Sequence, residues 1–411
     1  MASSMSETSR VFDMDHYHVT EDHGFILPEP LTNLSEYYQP WMEIANKIPF
    51  LIKTHSLREE VNKMPLLDTK YLNGYKEQRL AHLSLSFITM GYVWQEGEQG
   101  SIKALPQNLA IPFWNVSQCL GLPAILVHGD SALANWKKKD PNGPFELENL
   151  DVIFSFPGED SAKGFFLVTL LVEMAAVPGI KAAVTSINAM IQKDDRKLHQ
   201  ALQDIADSIE CMVTALKMMQ GNVDPQVFYG VIRIFLSGWK DNPSMPDGLV
   251  YEGVHEDPKQ FSGGSAAQSS VLHCFDALLG VSHSGESGNF LNRMQDYMPP
   301  SHRQLIQDIA SSPSLQQYIV DSRKPKLQEA FNNCVSQLVK LRNQHIIIVS
   351  NFILVPAAKA RDIRKKGISN DEILLKAPSA LEERGTGGSG IMSFLKSVRD
   401  TTKVVCVPSA H

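Results

Sequence analysis

Apolar residues along this chain recur mainly three and four positions apart, and strict alternation is rare. That rhythm predicts a mainly α protein. Lys76 to Trp94 sets Leu80, Leu83, Phe87, Ile88 and Gly91 near one face, the mark of an amphipathic helix. Phe165 to Ala176 is apolar nearly all round and belongs deep in a core. Leu198 to Met219, Pro225 to Trp239 and Gln268 to Leu279 also predict helices. Strand signals are confined to short runs, Ala124 to His128 (AILVH) and Asp151 to Phe156 (DVIFSF). Pro157-Gly158 interrupts the chain after the second run. A boundary there predicts a small mixed α/β domain, residues 1–156, with the first ~15 residues disordered. Residues 157–411 then form a larger all-α domain.

The stretch from Lys326 to Val355 carries the clearest pattern. Leu327, Phe331, Cys334, Leu338, Leu341, His345, Ile348 and Phe352 follow in steps that alternate four and three, a single core-facing stripe on one long helix. His345 thus occupies a core position beside Ile346, Ile347 and Ile348. A buried imidazole must bond something, because an unsatisfied polar group costs on the order of 1–3 kcal/mol. Two partners are open: a backbone carbonyl, or an iron for which neutral imidazole is the usual proximal ligand. Arg342, one turn earlier, could pair with a carboxylate of the protein or of a ligand.

Composition narrows the class. The chain has 411 residues, long enough for two domains. With 43 % hydrophobic and 20 % charged residues it reads as an ordinary globular protein. A net charge of −7 argues against a nucleic-acid surface, which needs clustered Lys and Arg. Five scattered cysteines without a CxxC pair suggest free thiols in a reducing compartment. The polar start is unlike a signal peptide, and the apolar run from Gly164 to Val177 is short for a membrane span, so the cytoplasm is expected.

Several further segments invite a chemical reading. Arg233 is the lone cation of the apolar run 225–239, so it must pair with an internal acid or receive an anionic ligand such as an amino-acid carboxylate. Tyr229 shares its helical face, and Phe228 lies beside it. Gly263-Gly264-Ser265-Ala266-Ala267 is either a flexible loop ending in a helix cap or a place where backbone approaches a flat ligand closely. Arg384 to Gly390 is rich in glycine but has no preceding strand and no Gly-Lys-Ser/Thr, which excludes a phosphate loop. After the polar connector Lys365 to Leu381, it predicts a mobile lid over about residues 365–390. Leu249 to Val254 matches a tyrosine-phosphorylation signalling pattern centred on Tyr251.

Taken in order, LANWKKKDPNGP (133–144), GFFLVTLLVE (164–173), IRIFLSGWKDNP (232–243), FSGGSAAQSS (261–270), YMPPSHR (297–303), RGTGG (384–388) and FLKSVR (394–399) resemble segments of the indoleamine 2,3-dioxygenases, over nearly the whole chain after Tyr17. PWMEIANK (40–47), MGYVWQEGE (90–98) and VPGIKA (177–182) are similar to the family's second vertebrate branch. The resemblance implies a small domain capping a large helical one that holds one haem b per chain. It assigns His345 as the proximal iron ligand, with Arg342, Asp276 and Gly264 as further cofactor contacts. It places Phe165, Thr169, Phe228, Tyr229, Arg233, Leu236, Ser265, Ala266 and His128 around L-tryptophan, and Thr386 on a loop closing over it. The implied reaction is cleavage of the indole C2=C3 bond by O2 to N-formylkynurenine, the entry to the kynurenine pathway, with no side chain acting as general acid or base. A monomer is expected, without nucleic-acid or membrane partners. Thr169, Tyr229, His128, Ser131, Ala132 and Gln344 depart from the first branch's pattern, and the changes in pocket volume and polarity point to weaker substrate affinity. Two rival readings are a haem-binding signalling protein with little turnover, seen by a phosphotyrosine-reading partner through Tyr251, and a haem sensor that exchanges its cofactor.

Overall fold

The computed structural model describes residues 12–366, 372–375, 377–379 and 390–408. Helices dominate, as the spacing predicts. Gly74–Trp94 is enclosed by Gln39–Lys53, Gln107–Leu120 and the turn Arg233–Leu236. Every residue from Arg79 to Trp94 is buried, so this helix is not amphipathic as expected. Several of its polar positions find partners inside. Ser84 and Ser86 donate to the carbonyls of Ala81 and Leu83, each at 2.9 Å, and the His82 ring meets the Asp130 carboxylate at 3.0 Å. A polar face that can bond its own helix or an internal acid need not face water.

Downstream, Glu159–Ala175, Val177–Gln192, Asp195–Lys217 and Pro325–Val349 form the main helical layer. Asp195–Lys217 packs against the other three. Asp194 caps it, its carboxylate accepting the Lys197 amide at 3.0 Å. The first two of these helices follow so closely that Glu159–Gln192 forms an apolar helical run long enough to cross a membrane, longer than the sequence reading allowed. About 61 % of its most apolar window is buried within the molecule, the behaviour of a core helix.

Both strand expectations fail. Ala124 to Val127 has no regular structure, and His128–Ser131 is a helical turn. Of Asp151 to Phe156 only Asp151 joins a ladder, Leu150–Asp151 against Lys137–Lys138. The reason lies in the aromatics. Phe156 stacks between Phe87 at 4.5 Å and Phe235 at 5.0 Å, and Phe154 lies 6.0 Å from Phe87. The run is wedged between helices, with no neighbouring strand to pair with. A continuous apolar run signals burial and not which backbone is buried. The other ladder among the described residues pairs Ala104–Leu105 in parallel with Val250–Tyr251.

Two helices depart from α geometry where they matter. Pro225–Val227 runs into a π segment, Phe228–Ile232, and then a 3₁₀ turn, Arg233–Leu236. The long helix Pro325–Val349 likewise passes through a π segment, Ser350–Leu354, into Val355–Lys366. Such bulges concentrate at functional sites because they re-aim side chains within a continuous helix. Within the expected mobile connector, Glu372–Leu375 is helical, and Leu374 and Ala377 are buried against Ala357 and Ala360.

Candidate functional site

A cavity of about 300 Å³ opens where Glu159–Ala175, Ser270–Leu279, the long helix Pro325–Val349 and the loop 263–269 converge. Leu341, Arg342, His345, Ile348 and Phe352 line it from the long helix, the stripe that the sequence spacing picks out. The His345 ring makes no hydrogen bond among the described residues, which answers the question the sequence left open: no backbone carbonyl satisfies it. Burial, helped by the Arg342 charge, pushes its pKa down from 6.5 to about 4, so the imidazole is neutral and its lone pair is available. One turn away, Arg342 Nη2 donates to both Asp276 carboxylate oxygens at 2.7 and 2.6 Å, while its Nη1 is buried without a partner among the described residues. Asp276 also faces His283 Nε2 at 3.0 Å. Burial works to raise the Asp276 carboxyl, but Arg342 and His283 outweigh it and hold it below its ordinary value.

The lining also holds an aromatic group and the buried cation Arg233. Phe165 meets Phe228 at 4.9 Å, and Phe228 meets Phe352 at 6.1 Å, tying three helical segments together. Arg233 lines the cavity at 0 % exposure. Burial pulls its guanidinium down to about 10, against the Tyr229 and Glu98 contributions. Leu236, Gly264, Ser265 and Ala266 also line the cavity. Ser265 Oγ accepts the Ala267 amide at 3.2 Å, so the segment is both a cap and a cavity wall. Thr169 faces the cavity too, but its hydroxyl donates to the Phe165 carbonyl at 2.7 Å, and that proton is committed to the helix.

One residue assigned to the site lies elsewhere. Tyr229 does not line the cavity; it is fully buried against Ala357, Ala360, Leu374 and Ala377, with its hydroxyl donating to Pro378 O at 3.3 Å. Its ring remains 5.8 Å from the Arg233 guanidinium carbon, so it backs the cation from outside. Adjacent positions on a helix point in different directions, and Phe228 takes the inward one. Thr386 and the rest of 380–389 lie outside the described residues. Tyr251, the centre of the signalling motif, is 0 % exposed and its hydroxyl donates to Ala124 O at 2.6 Å, so the folded chain offers no accessible phosphorylation site there.

Sequence reasoning missed Glu173, Ser269 and His273, all on the cavity wall. Glu173 had left a signal: one acid in a helix otherwise apolar all round must find a partner inside. It finds His128 Nε2 at 2.8 Å and the Ser269 hydroxyl at 2.6 Å. The short helix bearing His128 is anchored from the N-terminal half. Arg79 Nη2 donates to Gly129 O at 2.6 Å, and Asp130 is paired with His82.

The segment 261–264 depends on close backbone approach. A Cβ at Gly238 would lie 2.2 Å from Gly263 N and 2.4 Å from Phe261 O, atoms that cannot move aside as a flexible side chain can. Gly238→Ala is expected to lower the melting temperature by roughly 5 °C through overpacking. A thermal melt at the wild-type value would show that the strand of chain beside Gly238 is free to shift.

These residues suit the group the resemblance implies. A partnerless neutral imidazole, an orphaned guanidinium nitrogen one turn away, and a loop of small residues offer an axial ligand, a carboxylate partner and room for a flat ring. Among the described residues no cluster of three or more His, Cys, Asp or Glu could hold a bare metal ion.

The comparisons agree. The family model described as indoleamine 2,3-dioxygenase matches residues 13–405. The chain is 55 % identical to human indoleamine 2,3-dioxygenase 2 over 96 % of both chains. It is 48 % identical to rat indoleamine 2,3-dioxygenase 1 over 95 % of both. It is also 39 % identical to a myoglobin of Haliotis madaka, over 95 % of this chain and 98 % of that one. The chain belongs to the indoleamine 2,3-dioxygenase family.

Proposed function

We propose that this chain is a haem b enzyme that cleaves the indole C2=C3 bond of L-tryptophan with O2 to give N-formylkynurenine, the first step of the kynurenine pathway. The observation that carries this reading is His345, without a hydrogen-bond partner among the described residues, facing a cavity that also holds a buried cation, Arg233. His345 would hold the iron, and the Arg342 nitrogen without a partner would meet a haem carboxylate. The haem supplies activation of dioxygen and the redox chemistry. The protein's part is placement. Arg233 receives the substrate carboxylate, Phe165, Phe228 and Leu236 hold the indole plane, and the backbone of Gly264, Ser265 and Ala266 closes the side. With the Thr169 proton bound to its own helix, no side chain is assigned as general acid or base.

In this reading residues 1–156 cap the haem-bearing residues 157–411, and the segment about 365–390 serves as the lid. The protein acts as a cytoplasmic monomer. The test is aerobic turnover of tryptophan by the purified ferrous protein, read by the absorbance of N-formylkynurenine. Formation of product supports the proposal. Retained haem with no product would instead favour oxygen binding without turnover, the reading that likeness to a myoglobin raises.

A further inference from the structure

Glu173 is a charged group whose position the haem and carboxylate contacts do not explain. It is 4 % exposed and lines the cavity. Its Oε1 accepts the Ser269 hydroxyl at 2.6 Å and faces His128 Nε2 at 2.8 Å, whereas its Oε2 is buried and has no partner among the described residues. His128 shows the same half-used character. Its backbone amide donates to Gln268 Oε1 at 3.0 Å and its Nε2 points to Glu173, but its Nδ1 makes no hydrogen bond among the described residues. With Nε2–H donating to the carboxylate, Nδ1 is left as an acceptor. Two held acceptors on one cavity wall are therefore complementary to a donor. Leaving a buried carboxylate oxygen unmet is costly, so the site gains when a ligand supplies that donor.

Helix geometry says which end of the ligand this is. Phe165, Thr169 and Glu173 lie on one face of Glu159–Ala175. From Phe165 to Glu173 the helix rises by about 12 Å. Phe165 packs on Phe228, which opens the π segment leading directly into the 3₁₀ turn that begins at Arg233. The cation and the Glu173–His128 pair thus lie toward opposite ends of the wall. Resting on the reading that Arg233 takes an amino-acid carboxylate, we infer that Glu173 and His128 form a donor-reading subsite. It accepts a hydrogen bond from a hydroxyl on the six-membered ring of a bound indole, with Ser269 and Gln268 holding the two residues in place. The pair selects among indoles and takes no part in bond cleavage.

The test is equilibrium binding to the ferric haem protein, read by the change in its absorption spectrum. The probes are 5-hydroxy- and 6-hydroxytryptophan against their methoxy counterparts, which are one methyl larger and cannot donate, so the variants below separate donation from size. In the wild type at least one hydroxy compound is expected to bind about tenfold more tightly than its methoxy analogue. Glu173→Gln keeps the shape but puts an amide donor in place of the second acceptor, so it should erase or invert that ratio. A purely steric preference would survive the change. Should Glu173→Gln fail to load haem, His128→Phe removes the other acceptor with its ring kept, and the ratio should fall toward one. A wild-type ratio near one, or a ratio unchanged in the variants, overturns the inference. Because binding is read directly, this outcome is distinct from a failure of tryptophan turnover.

Discussion

Replacing His345 by alanine is expected to abolish the haem–CO absorption band of the ferrous protein and to lower N-formylkynurenine formation by more than ~100-fold, since even outer-shell changes at metal sites reach that scale. The apoprotein, by contrast, should keep its fold. His345 bonds to no described residue, so its removal strands no partner, and it already borders a cavity, so truncation enlarges a space in place of opening a new one in packed core. These two expectations separate a ligand from a structural histidine, whose loss would lower the melting temperature of the haem-free protein as well. Added imidazole should enter the enlarged cavity and restore part of the band. An unchanged band in the alanine variant would remove His345 from the site and with it the basis of the proposed function.

The second large effect is expected at Arg233. Arg233→Ala should weaken tryptophan binding about tenfold to a hundredfold, the worth of a buried charge-assisted hydrogen bond, with haem content retained. Burial already pulls this guanidinium down to about 10, which means the charged form is less well solvated here than in water. A bound carboxylate restores what burial removes. Tryptamine, which has the same ring and no carboxylate, should bind the variant and the wild type alike. That comparison tests the role and not merely the residue. Equal losses for both ligands would show that Arg233 supports the wall and does not receive the anion. Tyr229, packed behind the cation and outside the cavity, should affect tryptophan binding only through Arg233.

Where the sequence pattern was strong, it picked out residues that line the cavity. The four–three stripe placed His345 on the inner face of one long helix, and Leu341, Ile348 and Phe352 do line the same cavity. The lone cation in an apolar run placed Arg233 inside. Glu173 was equally legible as a lone acid in an apolar helix, but its partners were not, because His128 and Ser269 lie 45 and 96 residues away. Tyr229 was misplaced for a different reason. It shares a helical face with Arg233 on ideal α geometry, but Phe228–Ile232 is a π segment, which changes the angular spacing between those positions.

The sequence by itself determined the helical class and the inward position of His345 and Arg233, since these follow from periodicity and from the cost of burying charge. The tertiary structure alone decided the rest. It turned two apolar runs away from strand pairing because helices enclosed them, and it buried the hydroxyl of Tyr251 against Ala124. It left His345 without a carbonyl and joined Glu173 to His128. Each of these is a contact between distant segments, and local spacing carries no record of which distant surface will supply the partner.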